Sequence, residues 1–319
     1  MLFRSVESSH LGPRRAIGWL PPVDYRRWRD VGVRGYAPDG LPDPGFRGRL
    51  AARNAVFADV MIRTGLRLSE QSALSLLELP GRRGGDGFAR FWLPAPLAKG
   101  GSARWVYLPA PVLAQVWEYV ACERGEAIER GRAAGVYEQV RDPLIVEDPV
   151  RGTVRLGRRE VAVGLLGPAE RRRLLVRTPR GLEPAALWLG ERGLPAAPSA
   201  WQAVFQAANR RCHTHGIRLW AHPHLLRHSF AVVTLEQLWR GHLADLAATG
   251  QAKDPTYQMV FGDPLNWVRI RLGHRSIAST QIYLHTMQEL ELETRMALVP
   301  DSWEPAVCAA DEAGLVAAG

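Results

Sequence analysis

The sequence predicts a mostly α-helical fold carrying a small antiparallel β-sheet, an α+β arrangement. Three observations lead there. Apolar residues recur at helical spacing in several stretches, among them RNAVFADVMIRTG and SAWQAVFQAANRRC. Two short aromatic-rich runs, FARFWLPAPL and ARWVYLP, flank the turn AKGGS as a hairpin would. Helical spacing then returns in the C-terminal third. With 319 residues, 46% hydrophobic and 23% charged, the chain has an ordinary globular composition and enough length for one large core or two modest ones.

Residues 1–52 are rich in Pro, Gly and Arg, which allows short helical pieces but too little apolar sequence for an independent domain. From Arg53, Val56, Phe57, Val60 and Met61 share one face of a helix ending near Gly65. A second helix is expected at LSEQSALSLL with Ser69 as its cap. Three strands follow: LSLLEL and the two hairpin arms. PAPVLAQVWEYVACERGEAIERG is helical, with Val112, Val116, Trp117 and Val120 on one side. Residues 135–200 are less periodic, with strand-like PLIVED, RLLVRT and ALWLG. SAWQAVFQAANRRC forms a helix stopped at Gly216, and Pro223 opens the next, HPHLLRHSFAVVTLEQLW. After a looser stretch come three short helices, NWVRIRLG, STQIYLHTM and ELELETRMAL, and then the tail 299–319. No internal repeat is present.

The formal net charge is +9 and the isoelectric point about 10.1, which favours a polyanionic partner. Among 41 basic residues two are lysines, Lys99 and Lys253. Three scattered cysteines (Cys122, Cys212, Cys308), odd in number, argue against a disulfide framework, and a reduced, cytoplasmic protein is expected. The N-terminus lacks the apolar core of a signal peptide, and no apolar run approaches the roughly 20 residues that span a bilayer, so no membrane partner is expected.

HPHLLRHSF, residues 222–230, concentrates three histidines and an arginine, and three readings are open for it. The first is a metal site, since Cys212, His213 and His215 precede it and His224 and His228 are one helical turn apart. Against it, there is no CxxC pair and no nearby carboxylate. The second is structural, with these histidines as caps or buried groups satisfied by hydrogen bonds. The third is a grip on a phosphodiester. His224 and Arg227, three apart, share a helix face, and guanidinium and imidazole suit non-bridging oxygens and a proton respectively. Elsewhere the chain offers Arg67 after a helix, Lys99 in the turn, His274 after a glycine, and Tyr283 nine positions later. Taken singly, each is as well explained as a surface, capping or half-buried residue.

In order, TGLRLSE, AKGGSAR, HPHLLRH, RLGH and QIYLH resemble the pattern of the tyrosine recombinase, or phage integrase, family: T-G-x-R-x-x-E, a hairpin lysine, H-x-x-R, L-G-H and a following tyrosine. The resemblance spans roughly residues 50–298. It implies a catalytic domain over 53–298 with insertions near 130–200 and 240–265, preceded by a segment that is the remnant or linker of a missing core-binding domain. It further implies that Tyr283 attacks a DNA phosphate to give a 3′-phosphotyrosine, with Arg67 and Arg227 neutralising the transition state. His224 would take or position the tyrosine proton, His274 would bond a phosphate oxygen, and Lys99 would protonate the leaving 5′-oxygen. No metal and no cofactor are needed for such chemistry. The implied partner is double-stranded DNA held by a homo-oligomer, a tetramer, with possible accessory DNA-binding proteins and association with the nucleoid. The function expected is site-specific recombination or integration of a mobile element. A type IB topoisomerase-like activity and a truncated, catalytically idle remnant that still binds DNA are the alternatives.

Overall fold

The structure is a computed structural model that describes residues 18–82, 87–249, 263–284 and 286–287. About half of the described residues are helical, and they carry three small sheets. Helix α1 (Pro22–Arg27) opens with a proline, whose fixed φ suits a first turn and whose missing N–H costs nothing there. The coil widens and continues to Arg34. This N-terminal piece is not a separate arm. Trp28, fully buried, stacks on Phe205 with ring centroids 5.4 Å apart, and its indole N–H donates to Asn209 Oδ1 at 2.8 Å. The Tyr25 hydroxyl donates to Asp59 at 2.7 Å. Residues 20–33 therefore share one core with Phe57, Met61, Trp188 and Trp201, and packing shows no boundary at the expected junction of 52 and 53.

Helix α2 (Ala51–Thr64) buries the expected face, Val56, Phe57, Val60 and Met61, and ends at Gly65. Helix α3 (Leu68–Ser72) is shorter than expected, and Ser69 is not its cap. Arg67 takes that position, and the Glu70 carboxylate accepts its backbone N–H at 2.9 Å. LSLLEL is not a strand. Ser75 and Glu78 form a reciprocal cap, with Ser75 N–H donating to Glu78 at 2.8 Å and Leu77 N–H to Ser75 Oγ at 3.3 Å. This S-x-x-E pair winds Leu76–Glu78 into a 3₁₀ turn that local alternation could not outweigh.

Strands β1 (Phe88–Leu93) and β2 (Arg104–Pro109) form the expected antiparallel hairpin, with Phe91, Leu93, Val106 and Leu108 turned into the core. Helix α4 (Ala110–Tyr119) buries Leu113, Val116 and Tyr119, a face rotated slightly from the expected one, and runs through Arg124 into α5 (Gly125–Ala133). The next region folds on its own small cluster around Leu144, Val146, Val154, Leu166 and Leu174. There β3 (Leu144–Val146) pairs parallel with β6 (Leu174–Thr178), an unexpected parallel pair. β6 also pairs antiparallel with β7 (Gly181–Pro184). β4 (Thr153–Leu156) and β5 (Arg159–Ala162) form a separate hairpin, and α6 (Pro168–Arg171) precedes β6. ALWLG is buried through Leu187, Trp188 and Leu189 but makes isolated bridges rather than a strand.

Helix α7 (Pro198–Thr214) is followed by Gly216 in the left-handed region, as a helix stop requires. Helix α8 (Pro223–Thr249) is longer than expected and takes in the first part of the stretch 240–265. Residues 250–262, Tyr257 among them, lie outside the described residues, as do ELELETRMAL and the tail. Helix α9 (Pro264–Leu272) and helical residues 278–284 pack on α8 through Phe230, Val232, Leu235, Leu265, Val268, Leu272 and Tyr283. Among the described residues no helix is long and apolar enough to cross a membrane.

Candidate active site

Four pieces of chain meet: the α2–α3 junction, the β1–β2 turn, the first turns of α8, and the segment from the end of α9 to residue 284. Gly65 sets up the first. Its φ of +65° turns the chain out of α2, and its carbonyl faces α8. Arg227, 4% exposed, reaches from α8 to donate to the Gly65 carbonyl with one nitrogen and to the Leu272 carbonyl at 2.5 Å with another. One guanidinium thereby ties three of the four pieces together.

A second buried arginine, not singled out in the sequence, ties in the fourth. Arg104 at the start of β2 donates to Glu70 Oε2 at 2.7 Å and to the Arg271 carbonyl at 2.9 Å. Glu70, fully buried, also accepts from Arg67 Nη1 at 2.8 Å. Burial alone would raise the Glu70 pKa. The Arg104 hydrogen bond and charge, with Arg67, more than reverse this and hold it down to about 2. Glu70 is thus a fixed anion that aims Arg67. The signal for Arg104 was present in the sequence: it occupies an inward position of a strand whose other inward residues are apolar. The turn itself, Lys99–Gly101, is pinned by Arg275, which donates to the Gly100 carbonyl, while the Lys99 side chain is exposed.

The six sequence-predicted residues do not all take the expected places. Tyr283 is 2% exposed, and its hydroxyl lies 2.9 Å from His228 Nδ1, not paired with His224. With the imidazole neutral and protonated on Nε2, the phenol is the donor. Helical periodicity explains the difference: His228 follows His224 by one turn and sits deeper along α8, level with residues 278–284. His224 is exposed. His274 stands behind Tyr283, rings nearly parallel at 6.4 Å, with Nδ1 3.0 Å from Thr280 Oγ1.

Burial, and then neighbouring positive charge, lowers the pKa of both His228 and His274 to about 4, so both are neutral at pH 7. For His274 the charges named after burial are those of Arg227 and Arg67. Burial also raises the Tyr283 hydroxyl pKa, with Arg227 and Arg67 pulling it back. The Arg227 pKa falls to about 9, first through burial and then through the like charge of Arg67. Three guanidiniums and one carboxylate, Glu70, leave an excess of positive charge next to a phenol and two neutral imidazoles. Such a site attracts an anion and can move a proton from the phenol.

The metal reading of HPHLLRHSF finds no support in this geometry. Cys212 is buried and donates to the Trp28 carbonyl at 3.7 Å, and burial raises its thiol pKa to about 11. His215 faces Asp43 at 3.5 Å instead. Among the described residues no three His, Cys, Asp or Glu side chains gather in a metal-ligating group.

No family model matches the chain. In sequence, 116 residues (35% of the chain) are 33% identical to tyrosine recombinase XerD from two strains of Mycobacterium tuberculosis, CDC 1551 / Oshkosh and H37Rv. The chain spans 28% of the length of those relatives. Among solved structures, XerA recombinase aligns with a TM-score of 0.46 at 14% identity, covering 89% of this chain and 67% of that one. The XerH site-specific recombinase bound to palindromic difH substrate, in a post-cleavage complex, aligns at 0.45 and 17% identity, covering 89% and 54%. The sequence match, together with the five ordered motifs, places the likeness with the tyrosine recombinases and integrases.

Proposed function

We propose that this chain, similar to the tyrosine recombinases in its matched stretch and its motif order, breaks and rejoins double-stranded DNA through a covalent bond to Tyr283. The observation that carries the proposal is the Tyr283 hydroxyl held 2.9 Å from His228 within the field of Arg227 and Arg67. A phenol with an ordinary pKa near 10 needs both a proton acceptor and positive charge to attack at neutral pH. In the proposed step the Tyr283 oxygen attacks the scissile phosphorus and passes its proton to His228. Arg67 and Arg227 neutralise the charge of the pentacoordinate transition state, where losing one such contact commonly costs on the order of 100- to 1000-fold in rate. The bond to the 5′-oxygen breaks, Lys99 protonates that oxygen, and a 3′-phosphotyrosyl link and a free 5′-hydroxyl remain. The reverse sequence, with a 5′-hydroxyl as nucleophile, rejoins the strand.

His274 orients Tyr283 and a phosphate oxygen, and exposed His224 contacts the phosphate from the rim. Site-specific recombination or integration, by a homotetramer on DNA within the cytoplasm, is the biological setting this chemistry fits. The test is covalent trapping. The protein is mixed with nicked duplex substrates and supercoiled DNA, and any DNA-linked peptide is mapped. Attachment at Tyr283, lost in Tyr283→Phe while DNA binding persists, is the expected result. An adduct that survives this change, or maps to Tyr257, overturns the assignment.

A further inference from the structure

The inner face of the β1–β2 hairpin packs into the core, but its outer face is left open and is aromatic. Along it run Phe88, Arg90 and Trp92 from β1 and Trp105 and Tyr107 from β2; Phe88, Trp92 and Trp105 are 69%, 46% and 44% exposed. Trp92 and Trp105 are cross-strand partners with ring centroids 5.3 Å apart and planes at 71°. Arg90 lies over the Trp105 ring at 4.7 Å. Arg271 lies over both Tyr107, at 3.1 Å, and Trp267, at 4.2 Å. No carboxylate occupies this face of either strand.

Large exposed aromatics are costly unless something covers them. The charge here is positive, so a second copy of a chain with net charge +9 is a poor match and a polyanion a good one. Aromatic rings interleaved with arginines bind unpaired nucleic acid bases by stacking, with little regard to sequence. Position adds a further argument. Trp92 and Trp105 form the pair one step from the end of the ladder, where Leu93 faces Arg104 and the turn bearing Lys99 begins. The proposed reaction releases a 5′-hydroxyl strand at Lys99.

We propose that the outer face of the β1–β2 hairpin holds the single strand released by cleavage, its bases stacked on Trp92 and Trp105. The proposal rests on the strand-cleavage reading, and its test separates the two. Affinity for a labelled single-stranded oligothymidine of about 8 nucleotides is measured by fluorescence anisotropy. The W92A/W105A double variant should bind it on the order of 10- to 100-fold more weakly, and W92F/W105F should recover most of the loss. In W92A/W105A, covalent attachment at Tyr283 should form at the wild-type rate on duplex substrate, while rejoining slows. Because both side chains are about half exposed and lie outside the core, the fold should survive with only a modest fall in melting temperature, and W92F/W105F should restore it. Unchanged oligonucleotide affinity in W92A/W105A overturns the proposal. So does a loss of self-association in sedimentation with affinity intact, which would assign the face to a second copy. Absence of any adduct in the wild type would instead overturn the cleavage reading, which the oligonucleotide measurement does not depend on.

Discussion

Tyr283 is flanked by two imidazoles held neutral at pH 7 by burial and by nearby arginines. A neutral imidazole accepts a proton, and His228, at 2.9 Å, is placed to accept it from the phenol. Arrival of an anionic phosphate would offset the cations that depress His228 and make it a better base at the moment it is needed. His228→Ala should therefore slow single-turnover adduct formation by on the order of 100-fold, and exposed His224→Ala should slow it less. The reverse ranking would return the proton transfer to His224. Lys99 is tested through its leaving group. Lys99→Ala should cleave ordinary DNA slowly but recover on a substrate with 5′-bridging sulfur, which departs without a proton; equal loss on both would make Lys99 a phosphate-binding residue. The motif letters led to Arg67, Lys99, His224, Arg227, His274 and Tyr283 as candidates. The H-x-x-R spacing pointed to His224, whereas depth along α8, which the letters do not encode, places His228 beside the tyrosine. The inward position of Arg104 was legible in the strand's alternation, but its partner Glu70, 34 positions away, was not.

At the scale of elements, the end of α9 is the tightest junction in the site. Gly273 has φ +64°, and a Cβ there would lie 2.9 Å from Arg104 Nη1 and 3.1 Å from Ser102 Oγ. Gly273→Ala should thus strain the backbone and also push Arg104 from Glu70 and the Arg271 carbonyl. Gly216 provides the control: its φ is +70°, but nothing stands within 4 Å of its virtual Cβ. Both alanine variants should lose on the order of 1 to 2 kcal/mol, read as a comparable fall in melting temperature. Adduct formation should fall in Gly273→Ala alone. Equal rates in the two variants would show that the Arg104 clamp does not matter to the chemistry. The helix-stop role of Gly216 was legible from sequence, since the apolar period ends there. The role of Gly273 was not, because its constraint comes from a strand 169 positions earlier whose approach no local pattern encodes.

At the scale of the molecule, helical periodicity revealed α2, α7 and the start of α8, whose apolar faces are continuous. It failed for residues 18–34, where a few aromatics bury deeply within a proline-rich, arginine-rich context. Trp28→Ala removes a fully buried indole from the shared core and should cost about 3 to 5 kcal/mol; an unchanged denaturation midpoint would mark the segment as a detachable arm. The assembled site adds a pH dependence. His228 and His274 have folded pKa values of about 4, below the ordinary 6.5 of an unfolded histidine. Between these values the unfolded chain binds more protons, so stability rises with pH. Their contribution is complete above about pH 6.5 and is lost as the pH falls through 4, whereas Glu70 at about 2 contributes fully above 4.5. Lowering the pH from 7 to 4 should therefore depress the melting temperature, and His228→Gln with His274→Gln should flatten that decline. DNA should act in the opposite sense. Burial depresses both histidines most and the charge of Arg227 adds to it, so a duplex phosphate beside Arg227 offsets part of the depression, and bound DNA should raise the melting temperature most near pH 5. That increment should shrink steeply with salt, because counterion release drives the binding. A DNA-induced rise independent of both pH and salt would show that the anion sits elsewhere on the chain, away from the arginine cluster.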